Sequence, residues 1–251
     1  MIINLDDNGM HLRFAPLTLA RPVGDLRCGI FTNAERWKFY LPDSTVYFQT
    51  EKYLQAKFPN CDNPDLTVNA CVIPDELIVA AAVNLEDNEV LVYEAYWLAK
   101  KGSGDKKVHF KGEKPLLLEN RWDVFEKNHL AIQKDFSGIS QVKQSQQLSE
   151  TNILIGSPDF LFIEEGATIE GAILNTTQGP IYIGKGAEIM EGCMVRGPFA
   201  LCEEATLKMG AKVYGATTIG PHCKVGGEIS NVVFQAFSNK GHDGFLGNSL
   251  I

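Results

Sequence analysis

The chain has 251 residues, enough for one large domain or two modest ones with a sizeable buried core. Its formal net charge is −8 with no Lys/Arg-rich block, which argues against a nucleic-acid partner. No apolar run is long enough to span a bilayer, and the start "MIINLDDNGMHLRF" lacks the basic-then-apolar order of a signal peptide, so a cytoplasmic protein without membrane attachment is expected.

From Met1 to about Ser137, short β-rich runs alternate with helical ones. "MIINL", "STVYF", "LTVNACVI" and "EVLVYEA" read as strands, while "TNAERWKFY", "TEKYLQAKF" and "DELIVAAAVNL" have helical spacing. Asp75 is a helix start behind Pro74. Such alternation predicts an α/β layer with crossover connections over residues 1–137. "RWDVFEKNHLAIQKDF" (121–136) reads as an amphipathic helix with Val124, Phe125, Leu130, Ile132 and Phe136 on its apolar side. The polar tract "SQVKQSQQLSE" marks a linker over 138–152. Trp97 and Trp122 are expected in core or interface packing, and the six singly placed cysteines as reduced fillers.

Beyond the linker, over 153–251, the period changes to six. Ile183, Ile189, Val195, Leu201, Leu207, Val213, Ile219 and Val225 follow one another without a miss, and Ile163, Ile169 and Ile181 keep the spacing two residues out of step. Ala167, Ala187, Cys193, Ala205, Ala211, Thr217 and Cys223 stand four residues after most anchors. An exact sixfold repeat suits a three-sided parallel β-helix of hexapeptides, each coil about 18 residues, with the anchors pointing inward. "LNTTQGP" (174–180) is read as a loop extruded at a corner. The end "GNSLI" falls where another hexad begins, so a C-terminally truncated β-helix is expected.

Two stretches carry a family resemblance. "PLTLARPVGDLRCGI" (16–30) is similar to a "PLT-x-x-RPK" segment, and "GEISNVVFQAFSNKGHDGFLGNSLI" (227–251) to a "GEI-x-N-S … H-L-S/T-Y-x-G-D-x-x-I" segment. Both belong to the bifunctional sugar-1-phosphate nucleotidylyltransferase/acetyltransferases, and the 121–136 helix followed by "SETNILIG" resembles the variant of Bacteroidetes-type bacteria. The resemblance implies an α/β nucleotidyltransferase-like domain followed by a left-handed parallel β-helix. It also implies a nucleotide sugar of UDP-N-acetylglucosamine type made from an NTP and a sugar 1-phosphate, and an acetyl-CoA-dependent acetyltransferase site.

His242 falls on the family's acetyltransfer base, a role suited to an imidazole titrating near neutrality. Asn239, Lys240 and Asp243 are the flanking substrate-binding candidates. Arg21 and Arg27, with Arg13 and Thr18, are candidates to hold phosphates, because guanidinium groups give planar bidentate contacts. Asp6 and Asp7, after the first strand, are candidates for Mg²⁺; the alternative for "DDNG" is a plain turn. The sequence departs from the family where its G-x-G-T-R loop stands, since only Gly9 is present, and Val23 replaces the lysine of "RPK". His11, His109, His129 and His222 read as packing or surface residues. A homo-oligomer, a trimer by the resemblance, is expected. Two other readings stay open: an acyltransferase with a binding-only N-terminal domain, and a non-catalytic scaffold.

Overall fold

The computed structural model describes residues 1–251. They form two compact units, Met1–Leu26 with Phe31–Arg121, and Arg27–Ile30 with Trp122–Ile251.

In the first unit the elements run β1 (Ile2–Asp6), α1 (Asn33–Tyr40), β2 (Thr45–Gln49), β3 (Leu66–Asn69), β4 (Val72–Ile73), α2 (Glu76–Val83), β5 (Glu89–Tyr93), β6 (Tyr96–Lys100), β7 (Lys106–His109) and β8 (Leu116–Leu117). The main sheet has the order β2-β1-β3-β6-β5-β7. β1 is parallel to both of its neighbours, β2 and β3. Its Ile3, Asn4 and Leu5 are all buried, as expected of a central strand covered on both faces. α1 starts at a capping box in which Thr32 and Glu35 satisfy each other's backbone amides. Asp75 caps α2 by accepting the Ile78 amide at 3.0 Å, as the Pro74 break predicts. "TEKYLQAKF" differs from expectation, forming only a 3-10 turn at Lys52–Leu54. Here Phe58 packs edge-on to Phe48 and the Phe48 amide takes the Pro59 carbonyl, so tertiary contacts override the helical spacing.

The second unit opens with α3 (Asp123–Glu126) and α4 (Asn128–Val142). The helix expected over 121–136 is thus broken near Lys127 and runs on to Val142, into the stretch read as linker. Ala131, Ile132, Phe136 and Ile139 are buried and carry it past Phe136. Leu130 is exposed instead.

After α4 the chain makes short parallel strands in three stacks. Leu161–Ile163 pairs Ile181–Ile183, which pairs Phe199–Leu201, which pairs Thr217–Ile219. A second stack runs through Ile153–Ile155, Ile173–Asn175, Met194–Arg196 and Lys212–Val213, and a third through Thr168–Ile169, Glu188–Ile189, Thr206–Leu207 and Lys224–Val225. In the regular part each strand meets the one eighteen residues on: Ile181 faces Phe199, Glu188 faces Thr206, and Met194 faces Lys212. Glu228–Phe234 continues two of the stacks, and Phe245–Leu250 pairs with it in turn. All eight anchors from Ile183 to Val225 are buried, with the small residues of the repeat packed beside them. Between Asn175 and Ile181 the chain leaves the strands, at the extruded loop expected there.

Such close layering needs glycine where backbone meets backbone. A Cβ on Gly220 would collide with the Gln235 carbonyl and stand 2.5 Å from that of Phe234. Gly220→Ala should therefore destabilise the second unit by about 1–3 kcal/mol, read as an earlier midpoint in chemical denaturation.

Candidate active site

The direction of strand order reverses at β1, with β2 on one side and β3 on the other. Open α/β sheets bind ligands in the crevice beyond the strands' carboxyl ends at such a point. β1 ends there in Asp6, followed by Asp7, Asn8 and Gly9. The Met10 amide bonds the Asp7 carbonyl at 2.8 Å, and Asn8 and Gly9 sit at φ 52° and 68°. That is a tight turn needing two left-handed residues, and Asn–Gly supplies them at low cost. The "DDNG" turn is real, yet it opens no hairpin; a 3-10 helix at His11–Phe14 follows.

Asp7 is buried and fully engaged. Its Oδ1 accepts the Val23 amide at 2.8 Å; its Oδ2 accepts the Thr50 hydroxyl at 2.5 Å and lies 3.3 Å from His11 Nδ1. Burial pushes its carboxyl above the ordinary value, outweighing those donors. Asp6 is half-buried. Its Oδ1 accepts the Asn8 amide at 2.8 Å, leaving the second oxygen uncommitted.

Three further segments reach this edge. Asn69, at the end of β3, accepts the Cys71 amide and donates to the Trp97 carbonyl, both at 3.0 Å. Trp97 at the start of β6 donates its indole N–H to Asn8 Oδ1 at 3.0 Å and carries the Lys100 ammonium over its ring at 5.1 Å. It is only half-buried, standing at the crevice rather than in a core. After β8, Glu119 accepts the Tyr96 hydroxyl at 2.8 Å, which holds that phenol above its ordinary pKa. Asn120 receives both Nε and Nη2 of Arg13 at 3.1 and 2.8 Å. The Cys71 thiol is pushed up to about 12, by burial first and then by the charges of Asp7, Asp6 and Glu119. It is therefore an inert filler beside three carboxylates.

The other expected residues are placed differently. Arg21 is half-exposed, 3.9 Å from Asp25. Thr18 is fully buried, its hydroxyl donated to the His11 carbonyl at 2.5 Å, so it shapes the loop from inside. Arg27 belongs to the second unit, where it is buried; its amide and carbonyl bond the Gln235 side chain and its guanidinium donates to Ile30. The structure thus gives Asp7, Thr18 and Arg27 internal partners in place of ligand-facing positions.

In the second unit, Asn239–Lys240 forms a strand beside Lys224–Val225. Lys240 Nζ donates to the carbonyls of Gly226 and His242 at 2.7 and 2.9 Å, and Lys208 Nζ to that of Gly241 at 3.1 Å. Lys240 therefore braces the loop instead of extending into solvent. Asn239, His242 and Asp243 are exposed. Trp122, expected in packing, is 46% exposed.

A family model described as sugar nucleotidyl transferase matches residues 2–144. The chain belongs to that family. It is accordingly a transferase family member whose substrates are small molecules. The match runs past the first compact unit through α3 and the whole of α4. No curated protein matches the chain. No helix is long and apolar enough to cross a membrane.

Magnesium, which the family's chemistry implies, is compatible with these residues. No group of three or more His, Cys, Asp or Glu side chains forms a cage for a metal. A small hard cation bound mainly through phosphate oxygens and water needs only one or two carboxylates, and Asp6 offers a free oxygen at the strand end.

His11, Thr50, Tyr53, Trp97, Glu119 and Asn120 stand in no motif that marks them, and only the fold brings them to this edge. His11 is buried and bonded to both Asp7 and Tyr53, in keeping with the packing role expected of it.

The raised carboxyl of Asp7 has a consequence for stability. The folded state binds this proton more tightly than the unfolded chain, whose value is near 3.8. Its contribution is full below that value and is lost as the pH rises through the folded pKa. Relative to Asp7→Asn, the unmodified protein should therefore lose stability as the pH rises through that window, measured as denaturant midpoints across a pH series; a pH-independent difference would contradict the assignment.

Proposed function

We propose that the first unit makes a nucleotide sugar of UDP-N-acetylglucosamine type from an NTP and a sugar 1-phosphate, at the carboxyl edge of β1 and β3. The observation that carries this reading is the pairing, at the reversal point of the sheet, of a strand-end carboxylate with an uncommitted oxygen and a left-handed Asn8–Gly9 turn. The Asn8 amide is bonded to Asp6 Oδ1 and the Met10 amide to the Asp7 carbonyl, so the Gly9 amide is the one this turn has left to offer an anion. A Cβ at Gly9 would meet nothing within 4 Å, so the turn is open to a phosphate group.

In the reaction an oxygen of the sugar 1-phosphate attacks the α-phosphorus of the NTP, and the bond to the bridging oxygen of pyrophosphate breaks. Bound with the nucleotide, magnesium would neutralise charge on the phosphate oxygens. Asp6 would hold it, while Arg13 and Arg21 on the loop after β1 would contact phosphates and Trp97 would form a wall of the crevice. Little proton transfer is required of the protein, so catalysis here is placement and electrostatics.

A second activity is supported by the loop at 239–244. Its backbone is braced by Lys208 and Lys240, which leaves an exposed imidazole at His242 beside Asp243. We read the three strand stacks as a left-handed β-helix of hexapeptides. In it His242 takes a proton from an amine that attacks the thioester carbon of acetyl-CoA; the C–S bond breaks and CoA leaves as the thiol, with Asn239 and Asp243 orienting the acceptor. A trimer, in which a neighbouring β-helix completes that site, belongs to the same reading.

The first test is pyrophosphate release from UTP, then dTTP, with Mg²⁺ and a panel of hexose and hexosamine 1-phosphates. Release is expected, with kcat/KM lower by about 100-fold or more in Asp6→Asn and by about tenfold in Arg21→Ala. A folded chain that releases none would leave a binding-only first unit. The second test is acetyl transfer from acetyl-CoA to hexosamine 1-phosphates, expected to fall by about 100-fold or more in His242→Ala.

A further inference from the structure

The loop between β1 and α1 is fastened from the inside by one residue with no assigned role. His11 is 2% exposed and lies between two elements. Its Nδ1 is 3.3 Å from Asp7 Oδ2 and its Nε2 is 3.0 Å from the Tyr53 hydroxyl, just past β2. With Asp7 ionised, its carboxylate only accepts, so Nδ1 carries a ring proton; the Tyr53 hydroxyl beside Nε2 also reaches the Leu19 carbonyl at 3.3 Å, a further tie to the same loop. The His11 carbonyl in turn receives the Thr18 hydroxyl, and Asp7 Oδ1 receives the Val23 amide.

These bonds fall on both sides of the two arginines. Arg13 follows His11 by two residues. Arg21 lies between Thr18, held through the His11 carbonyl, and Val23, held through Asp7; its own amide reaches the Thr18 carbonyl at 3.4 Å. We infer that His11 is a positioning residue for the NTP phosphates, acting through Asp7 and Thr18 to set where Arg13 and Arg21 are presented. The inference rests on the proposed nucleotidyl transfer and assigns His11 no contact with substrate. Misplacing a charged donor by about an ångström is enough to weaken its contact with a phosphate.

Two substitutions separate the two faces of the ring. His11→Asn sets an amide N–H near the position of Nδ1 and keeps the Asp7 bond. His11→Gln reaches the position of Nε2, keeps a partner for Tyr53 and loses the bond to Asp7. Steady-state kinetics with varied NTP and varied sugar 1-phosphate, together with NTP titration calorimetry, read the result. His11→Gln is expected to raise KM and Kd for the NTP by about tenfold, with KM for the sugar 1-phosphate unmoved; His11→Asn should stay within about threefold for both. The inference is overturned if folded His11→Gln keeps the NTP constants of the unmodified protein. It is also overturned if both variants lose thermal stability and both KM values rise together, the pattern of general damage. If the unmodified chain binds NTP without turnover, the Kd ratio alone decides the inference while the reaction assignment fails. A chain that binds no NTP sinks both.

Discussion

One buried carboxylate organises the first unit's carboxyl edge. Asp7 receives an amide from the far end of the following loop, a hydroxyl from the segment after β2 and an imidazole from its own 3-10 turn. Charge-assisted bonds of this kind contribute about 1.5–3 kcal/mol each, while withdrawing a carboxylate from water costs several kcal/mol. For the ionised carboxyl burial outweighs the donors, as the raised pKa indicates, so its charge is not a source of stability. What it supplies is position: the loop between β1 and α1, crossing the open end of a sheet, acquires one path. Packing reinforces that path at Gly24, where a Cβ would lie 2.7 Å from Leu5 Cδ1 and 3.2 Å from Leu5 Cβ, so the loop lies directly on β1.

The second unit is built on the opposite principle, with many equivalent contacts and no single organiser. Each strand pairs with neighbours in the adjacent layers, and each buried anchor packs against its counterparts one layer away. Stability in such an array is approximately a sum over layers and their interfaces. Local departures are therefore tolerated. The loop at 176–180 is one example. Another is the shortened last step, where Lys224 meets Asn239 fifteen residues on.

This difference explains what could be read from the sequence. A layered array writes its geometry locally, because every sixth residue must face inward, and the eight anchors announced their burial. In the first unit β1, β2, β3 and β5 were legible from short β-branched runs, while β6, β7 and β8 carry no such run and were not. The site was not, because its bonds join residues remote in sequence: His11 with Tyr53, Asn8 with Trp97, Arg13 with Asn120. Asp6 and Asp7 look alike in sequence, and only the arrival of Thr50 and Val23 separates a carboxylate with an open oxygen from one wholly enclosed. Thr18 and Arg27, in a segment chosen by resemblance, turned out to be buried for structural reasons. The polar face of α4 concealed a helix continuing to Val142, since Ile139 alone of the residues after Phe136 is buried.

Electrostatics ties the site's parts together. Asp6, Asp7 and Glu119 all act on the Cys71 thiol, so the crevice carries concentrated negative charge in a chain of net charge −8. A triphosphate approaching that edge meets repulsion, and Arg13 and Arg21 each already have a partner, Asn120 and Asp25. Two partnered arginines on a loop are a modest counterweight to a polyanion. In the proposed reaction, divalent charge arriving with the nucleotide would reverse the balance: the free oxygen of Asp6 would become an attraction, and the Gly9 amide of the turn would add to it. Under the proposed reaction such an edge would favour a magnesium–triphosphate complex over the free triphosphate, through the open oxygen of Asp6 rather than the enclosed Asp7.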